Sequence, residues 1–530
     1  MPQSSPPPSR RSFRLAAALA LAVTALVWGL RRWIGIETGD FSGTDLGAAI
    51  PVGFVGFIDD NLSYASWAMQ AAQGKPLFAD LYTAEPHAAA LLNPIFLLYG
   101  AAASLAGAHV VDAMLWLSLA AVPVAVLAAF AVLAQSLNSQ RLAALAVVIW
   151  IFAAGIGWLR KAIALPIGSD LISRDLHTLT TFVNFPYHTM ALAWILGALA
   201  LLLHIDRAID AGRRPIGLLV VLIVASLLTT LARPYEMPMI ALAWFFYALY
   251  RRGPRWRIGA ALTHGAALLP VVVYQYWVSK QPVWADFAQA SLATGSAYPH
   301  QFLVGFAFLW PLALVGIWRL RRDAAPPQAR LLVVWFALMG VPMLFGHLGL
   351  AKLAGGAPLL FAALATPAMV WLWGRGRALR FALAGAALLS LPSTILVLLF
   401  WRAEGVRTVD GEVLALVNAL PAETRILTDC ETGRFIPALT GRRVWCGQWA
   451  LTPQYKDKDR QATLLGLYAS DHVVPGDAGQ VPPLQPVGLQ ELTARDGLDV
   501  LLAPVDAPVW LSLRGPVTQV GERWRLTRLR

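Results

Sequence analysis

The sequence predicts a polytopic α-helical membrane protein of about thirteen spans, followed by a small extracytoplasmic α/β domain. Three observations carry that expectation. The chain is 58% hydrophobic and only 14% charged, against roughly a quarter charged in ordinary globular proteins. Long apolar runs recur as far as residue 400, and the remainder is mixed in composition and balanced in charge.

A prolyl and seryl leader with Arg10, Arg11 and Arg14 precedes the first apolar run, residues 15–30. That run lacks a small-x-small cleavage site and is expected to stay attached as the first span. A long mixed segment, residues 31–87, follows. Eleven further apolar runs lie at 93–106, 113–135, 142–158, 187–203, 215–232, 237–250, 258–278, 303–318, 331–350, 359–373 and 381–401.

Orientation follows from Lys and Arg in the short connections. The loops 205–214, 251–257, 319–330 and 374–380 hold 3, 4, 4 and 3 of them, whereas those around Arg233, Lys280 and Lys352 hold one each. The first set is therefore expected in the cytoplasm, with the N-terminal tail, residues 1–14. Twelve spans would return the C-terminus to that side. A thirteenth, in the ambiguous segment 159–186, sends it out. The expected division is a cytoplasmic tail 1–14, a membrane domain 15–402 whose first outer loop is 31–87, and a soluble outer domain 403–530, in a bacterial-type plasma (inner) membrane.

The formal net charge of +12 belongs to this topology, because residues 403–530 carry 14 basic against 15 acidic side chains. Nucleic-acid binding, which gathers basic residues on a soluble face with stacking aromatics, is excluded as a reading. In the tail, helical periodicity spans 410–420 and 456–470. Short strands are expected at 425–429, 442–446, 499–503 and 524–529. Cys430 and Cys446 are the two cysteines; outside the cytoplasm they can form a disulfide, and otherwise they are two buried thiols.

The most informative stretch is 57–94, FIDDNLSYASWAMQAAQGKPLFADLYTAEPHAAALLNP. Asp59 and Asp60 stand before helix-compatible residues 61–73 that close at Gly74, so one of them can cap that helix, the cap being the alternative to a reactive role for Asp60. For Asp59 the alternatives are a reactive carboxylate and a solvated loop acid. The order of an acid pair, Tyr64, Gly74, Lys75-Pro76-Leu77-Phe78, Asp80, Glu85-Pro86 and His87 before an apolar run resembles the first outer loop of GT-C superfamily glycosyltransferases. It is similar in particular to protein O-mannosyltransferases and the aminoarabinose transferases of lipid A. Two positions depart from that pattern: Asp60 where many relatives carry Glu, and His87 beside Glu85-Pro86. Residues 433–458 resemble the tails of bacterial glycosyltransferases.

The resemblance implies a GT-C-like fold, an acidic residue of this loop at the catalytic centre, a polyprenyl-phosphate sugar as donor and a glycan, lipid or protein as acceptor. Asp59 and Asp60 are the catalytic candidates. A phosphate leaving group needs no acid to protonate it, so one carboxylate base and nearby cations suffice. Arg233 and Lys352 are the best-placed cations for donor phosphate. Lys75, Tyr64, Asp80, Glu85 and His87 complete the substrate-binding candidates. Asp170, Asp175, His177, Asn184 and His188 could line the acceptor side or bind a divalent metal, although their spacing matches no strong metal pattern. A transporter of lipid-linked glycans is the competing reading; it expects repeats with charges buried at mid-membrane, and here the acids gather in a loop.

Overall fold

The computed structural model of the chain describes residues 10–46, 48–161, 177–251, 254–294, 298–322, 326–346, 350–468, 488–509, 519–520 and 522–529. It is mostly helical and divides into two compact units. The first comprises Met1–Gly35, Trp116–Tyr276 and Leu292–Gly405; the second comprises Ile36–Leu115, Trp277–Ser291 and Val406–Arg530.

Among the described residues each of the twelve apolar runs overlaps a helix. Among the described residues, seven helices are long and apolar enough to cross a membrane: Phe13–Ile34, Val110–Leu137, Gln140–Leu159, Pro186–Asp210, Arg255–Val278, Pro327–Leu344 and Arg377–Glu404. The pair Pro299–Phe306 and Leu309–Arg322, bent by 83°, makes an eighth if it is one broken span. The others, Pro94–Ala106, Ile216–Ala232, Glu236–Tyr250 and Ala357–Trp373, have 13, 17, 15 and 17 residues. At 1.5 Å per residue these reach about 20 to 26 Å, short of a hydrocarbon layer of about 30 Å. The structure thus counts seven or eight spans by length where about thirteen are expected, and residues 162–176, on which the total turns, lie outside the described residues.

In the helical unit, Phe381, Leu388 and Phe400 on one long helix and Leu262, Leu269 and Val273 on another are exposed. Apolar faces of this extent are unfavourable in water and suit lipid contact. Several charged groups inside the unit are instead paired. Buried Arg257 donates from Nε to Asp206 at 2.8 Å, and Tyr247 donates to the same carboxylate at 3.1 Å. These bonds fasten the ends of three helices at the loops expected to face the cytoplasm.

The second unit is α/β. Strands β1 (Ala49–Pro51) and β2 (Thr408–Asp410) pair antiparallel, joining the segment after the first span to the start of the tail. A five-stranded sheet has the order β4, β3, β5, β7, β6, built from β3 (Arg425–Leu427), β4 (Arg443–Val444), β5 (Val500–Pro504), β6 (Gln519–Val520) and β7 (Trp524–Arg528). β4, β3 and β5 run parallel, while β7 is antiparallel to β5 and β6. The helices Gly411–Asn418 and Tyr455–Leu464 occupy the two expected helical positions. The core gathers Leu427, Trp445, Leu467, Leu498 and Leu501 and also takes in Ala84 from the first loop.

Cys430 and Cys446 form a disulfide inside that core. It closes a loop of sequence separation 16, which in the chain-entropy account corresponds to about 3 kcal/mol. The double variant Cys430→Ser/Cys446→Ser is expected to lose about 2 to 4 kcal/mol of stability. Thermal unfolding of the purified protein with and without reductant measures this; equal midpoints would remove the bond from the account.

Candidate active site

The site is built on the helix Ile58–Ala72 of the second unit. Its residues after Ile58 are mostly small or helix-favouring. Phe57 stands at the N-cap in the left-handed region, with φ 44°, and no side chain caps the first turn. The expected cap at Asp60 is therefore corrected: the helix starts three residues earlier than the periodicity of 61–73 suggests, and both aspartates lie inside its first turn. There the helix dipole favours both carboxylates. One side of the helix packs closely on Pro94–Ala106, where a Cβ at Gly100 would lie 2.5 Å from Ala71 Cβ.

Helical spacing separates the two aspartates. Asp60, Tyr64 and Trp67 follow one stripe, and Tyr64 stacks on Phe96 at 5.7 Å. Trp67 is buried against Trp284, with ring centroids 6.0 Å apart, so both indoles pack in an aromatic core. Asp59, Ser63 and Ser66 follow the other stripe. Asp59 Oδ1 lies 3.0 Å from Arg434 Nε, and both side chains are half-buried. Burial pushes the Asp59 carboxyl up, while Arg434 and Arg407 draw it back toward ionisation. A half-shielded carboxylate of raised basicity, kept ionised by a neighbouring guanidinium, can accept a proton from a hydroxyl.

Arg434 is placed by the tail. It follows Gly433, where a Cβ would meet Cys446 O at 2.0 Å, so the disulfide-linked segments approach backbone to backbone. Tyr455 hydrogen-bonds to Arg434. The Tyr82 ring packs against Gly447, and its buried hydroxyl is held far above its ordinary range, first by burial and then by the charges of Asp80 and Asp59.

Residues 78–91 form a pinned loop. Phe78 N–H donates to Leu91 O at 2.8 Å. The Gln70 side chain exchanges two bonds of 2.9 Å with the Ala79 backbone. Asp80 is fully buried, accepts the Tyr82 N–H at 2.7 Å and is pushed by burial up to about 7. His87 Nε2 accepts the Asp80 N–H at 3.0 Å while Nδ1 faces the Glu85 carbonyl at 2.8 Å. That pattern requires the neutral ring with its proton on Nδ1, in line with the downward shift that burial gives His87. Glu85 pairs with buried Lys458 at 3.0 Å. Lys75 meets Glu423 at 3.7 Å on the surface, a contact of small energetic weight.

Arg233 and Lys352 belong to the other unit. The helix Ile216–Ala232 ends at Arg233 and the next begins at Glu236, so the chain breaks between them. Arg233 Nη2 lies 2.6 Å from Glu236 Oε1, and both residues are buried. The pair lines a cavity of about 40 Å³ with Thr178, Thr181, His188 and Trp335, room for two or three waters. Gly355 lets the chain close on it, since a Cβ there would stand 2.7 Å from Glu236 Oε1. Lys352 occupies the 3-10 turn Leu350–Ala354 just before that glycine. Much of the Arg233 charge is thus offset already, and an alanine at 233 would leave Glu236 buried without this partner.

Of the possible metal and acceptor residues, Asp170 and Asp175 lie outside the described residues. His177 accepts from or donates to Thr394 at 2.8 Å. Among the described residues no three His, Cys, Asp or Glu side chains gather as a metal site. Arg434, Tyr455, Tyr82 and Lys458 were not anticipated. The signal for the three tail residues was the string 433–458 and for Tyr82 the loop 57–94, neither of which names a partner for any side chain.

No family model and no curated protein sequence matches this chain. Its structure is similar to the oligosaccharyltransferase of Archaeoglobus fulgidus, solved tethered through a disulfide to an acceptor peptide containing an NVT sequon (TM-score 0.52, 12% identity), and solved with zinc and sulfate (TM-score 0.51, 13% identity). Each comparison covers 92% of this chain, and 69% and 68% of the other. The chain therefore shares the GT-C fold.

Proposed function

From that fold we propose that the chain is a membrane glycosyltransferase that moves a sugar from a polyprenyl-phosphate carrier to an extracytoplasmic glycan, lipid or protein. Asp59 is its general base. The observation that carries this reading is the Asp59 and Arg434 pair, in which a helix from the first loop and a turn from the tail hold one half-buried carboxylate at 3.0 Å. The acceptor hydroxyl gives its proton to Asp59 as its oxygen attacks C1 of the sugar. The bond from C1 to the phosphate oxygen breaks, and its electron pair stays on the polyprenyl phosphate. A single displacement of this kind inverts C1. Lys352, Lys75 and Arg233 are the cations proposed to meet the phosphate charge, with Asp60, Tyr64, Asp80, Glu85 and His87 shaping the substrate side.

The proposed setting is a bacterial-type inner membrane with both the 31–87 loop and the tail outside, which requires an odd number of spans such as thirteen. The likeness to the protein O-mannosyltransferases and aminoarabinose transferases supports the carrier-linked donor. A transporter of lipid-linked glycans is the second reading, favoured by the ion pair of Arg233 and Glu236 buried inside the helical unit. Deleting the gene distinguishes the readings. Accumulation of a polyprenyl-phosphate monosaccharide together with an underglycosylated envelope product is expected, whereas an unchanged pool of carrier-linked sugars would contradict transfer from that donor.

A further inference from the structure

The second unit contains a cleft of about 450 Å³ lined by Gln70, Lys75, His87, Glu423, Arg425 and Arg443 among others. Its volume is that of a small-molecule site. Its charge has no local explanation. Arg425 on β3 and Arg443 on β4 are register partners in a parallel pair, so both side chains leave the same face of the sheet on strands about 4.8 Å apart. Like charges directly opposite each other destabilise a sheet.

Neither guanidinium is neutralised where it stands. Arg443 Nη1 reaches the Glu85 carbonyl at 3.5 Å and Arg425 Nη1 the Asp496 carbonyl at 3.5 Å, both at the outer limit of a hydrogen bond. Among the described residues neither makes an ion pair. The acids nearest in charge are poor partners. Glu423 is 90% exposed and turned to Lys75, and buried Asp80 is pushed up to about 7. Burial also weakens the charged form of Arg443, a cost that an anion in the cleft would reverse.

We infer that this cleft is an oxyanion subsite: Arg425 and Arg443 take the carboxylate or phosphate substituent of a saccharide. Two planar guanidiniums side by side offer the forked donors that match such a group. Gln70 is committed to the Ala79 backbone through both side-chain atoms, and His87 is neutral with both nitrogens engaged. Selectivity for negative charge therefore rests on the two arginines. Naming the saccharide as the acceptor rests on the glycosyltransferase reading; the oxyanion site itself does not.

The test uses the full chain purified in detergent and titrated with trigalacturonate, its neutral methyl ester and inorganic phosphate. Charge-dependent binding of trigalacturonate, weakened by added salt and reduced at least tenfold in Arg443→Gln and in Arg425→Gln, is expected. Phosphate binding that both variants lose, without trigalacturonate binding, would keep the subsite and assign its anion as phosphate. Equal binding of the acid and its methyl ester, or charge-dependent binding that survives both substitutions, would overturn the inference, as would no binding of either anion. Either arginine variant suffices should the other fail to fold. Asp59→Asn is expected to bind the anion at parental affinity, so a failure of catalysis and a failure of this subsite give different results.

Discussion

Asp59→Asn is expected to lower sugar transfer by on the order of a hundredfold or more, the usual scale for loss of a positioned general base. The substitution is nearly isosteric and keeps an oxygen toward Arg434, so the fold should persist. What disappears is the proton acceptor. Asp60→Asn is the control. Asp60 lies on the Tyr64 stripe of the same helix turn and does not cap the helix, so its replacement should affect transfer through substrate contact only, and less. Initial rates at saturating donor, together with elution and melting profiles, separate the cases. Loss confined to Asp60 would move the base there. Parental rates in both variants would remove this loop from the chemistry.

Between pH 4 and pH 8, Asp80→Asn is expected to gain about 4 kcal/mol of stability relative to the parent, the equivalent of about three pH units of proton affinity. The sign follows from the direction of the shift. The Asp80 carboxyl is raised from 3.8 to about 7 by burial, so the folded chain holds its proton more tightly than the unfolded one. Its stabilising contribution is complete below about pH 4 and is lost as pH rises through 7. Asparagine still accepts the Tyr82 N–H and has no proton to lose. Thermal melts of both proteins across this range test it, and parallel curves would contradict the burial account of Asp80.

How much of this was legible in the sequence depends on the range over which each signal acts. Apolar runs report burial in lipid or core and act locally, so all twelve overlap helices among the described residues. They do not report length against a bilayer. The run at 93–106 is a 13-residue helix packed on Ile58–Ala72 in the α/β unit. In the tail, short alternating or apolar stretches fixed β3, β4, β5 and β7 to within two residues. The start of the helix at Ile58 was missed because Asp59 and Asp60 look like a cap, while Phe57 in the left-handed region makes the turn without one.

The candidate site was legible on one side only. Asp59 and Asp80 stand out as acids in an otherwise apolar chain, but their neighbours come from far along it. Arg434 lies 375 positions after Asp59, and Lys458 reaches Glu85 and the Trp445 carbonyl from the far side of the disulfide. No periodicity encodes such pairings, since they arise from tertiary closure. His87 shows the same limit from the other direction: the sequence marks it as a loop histidine but does not reveal that both ring nitrogens meet the backbone of its own loop.

The most direct test of the central claim is to give the purified chain a polyprenyl-phosphate sugar labelled at C1, with an envelope extract as acceptor, and to follow both halves of the donor. The account predicts free polyprenyl phosphate appearing in equal amount with labelled product, at inverted C1, and neither from the Asp59→Asn protein. Labelled donor recovered intact, whether or not it changes leaflet when the chain is placed in vesicles, would contradict it.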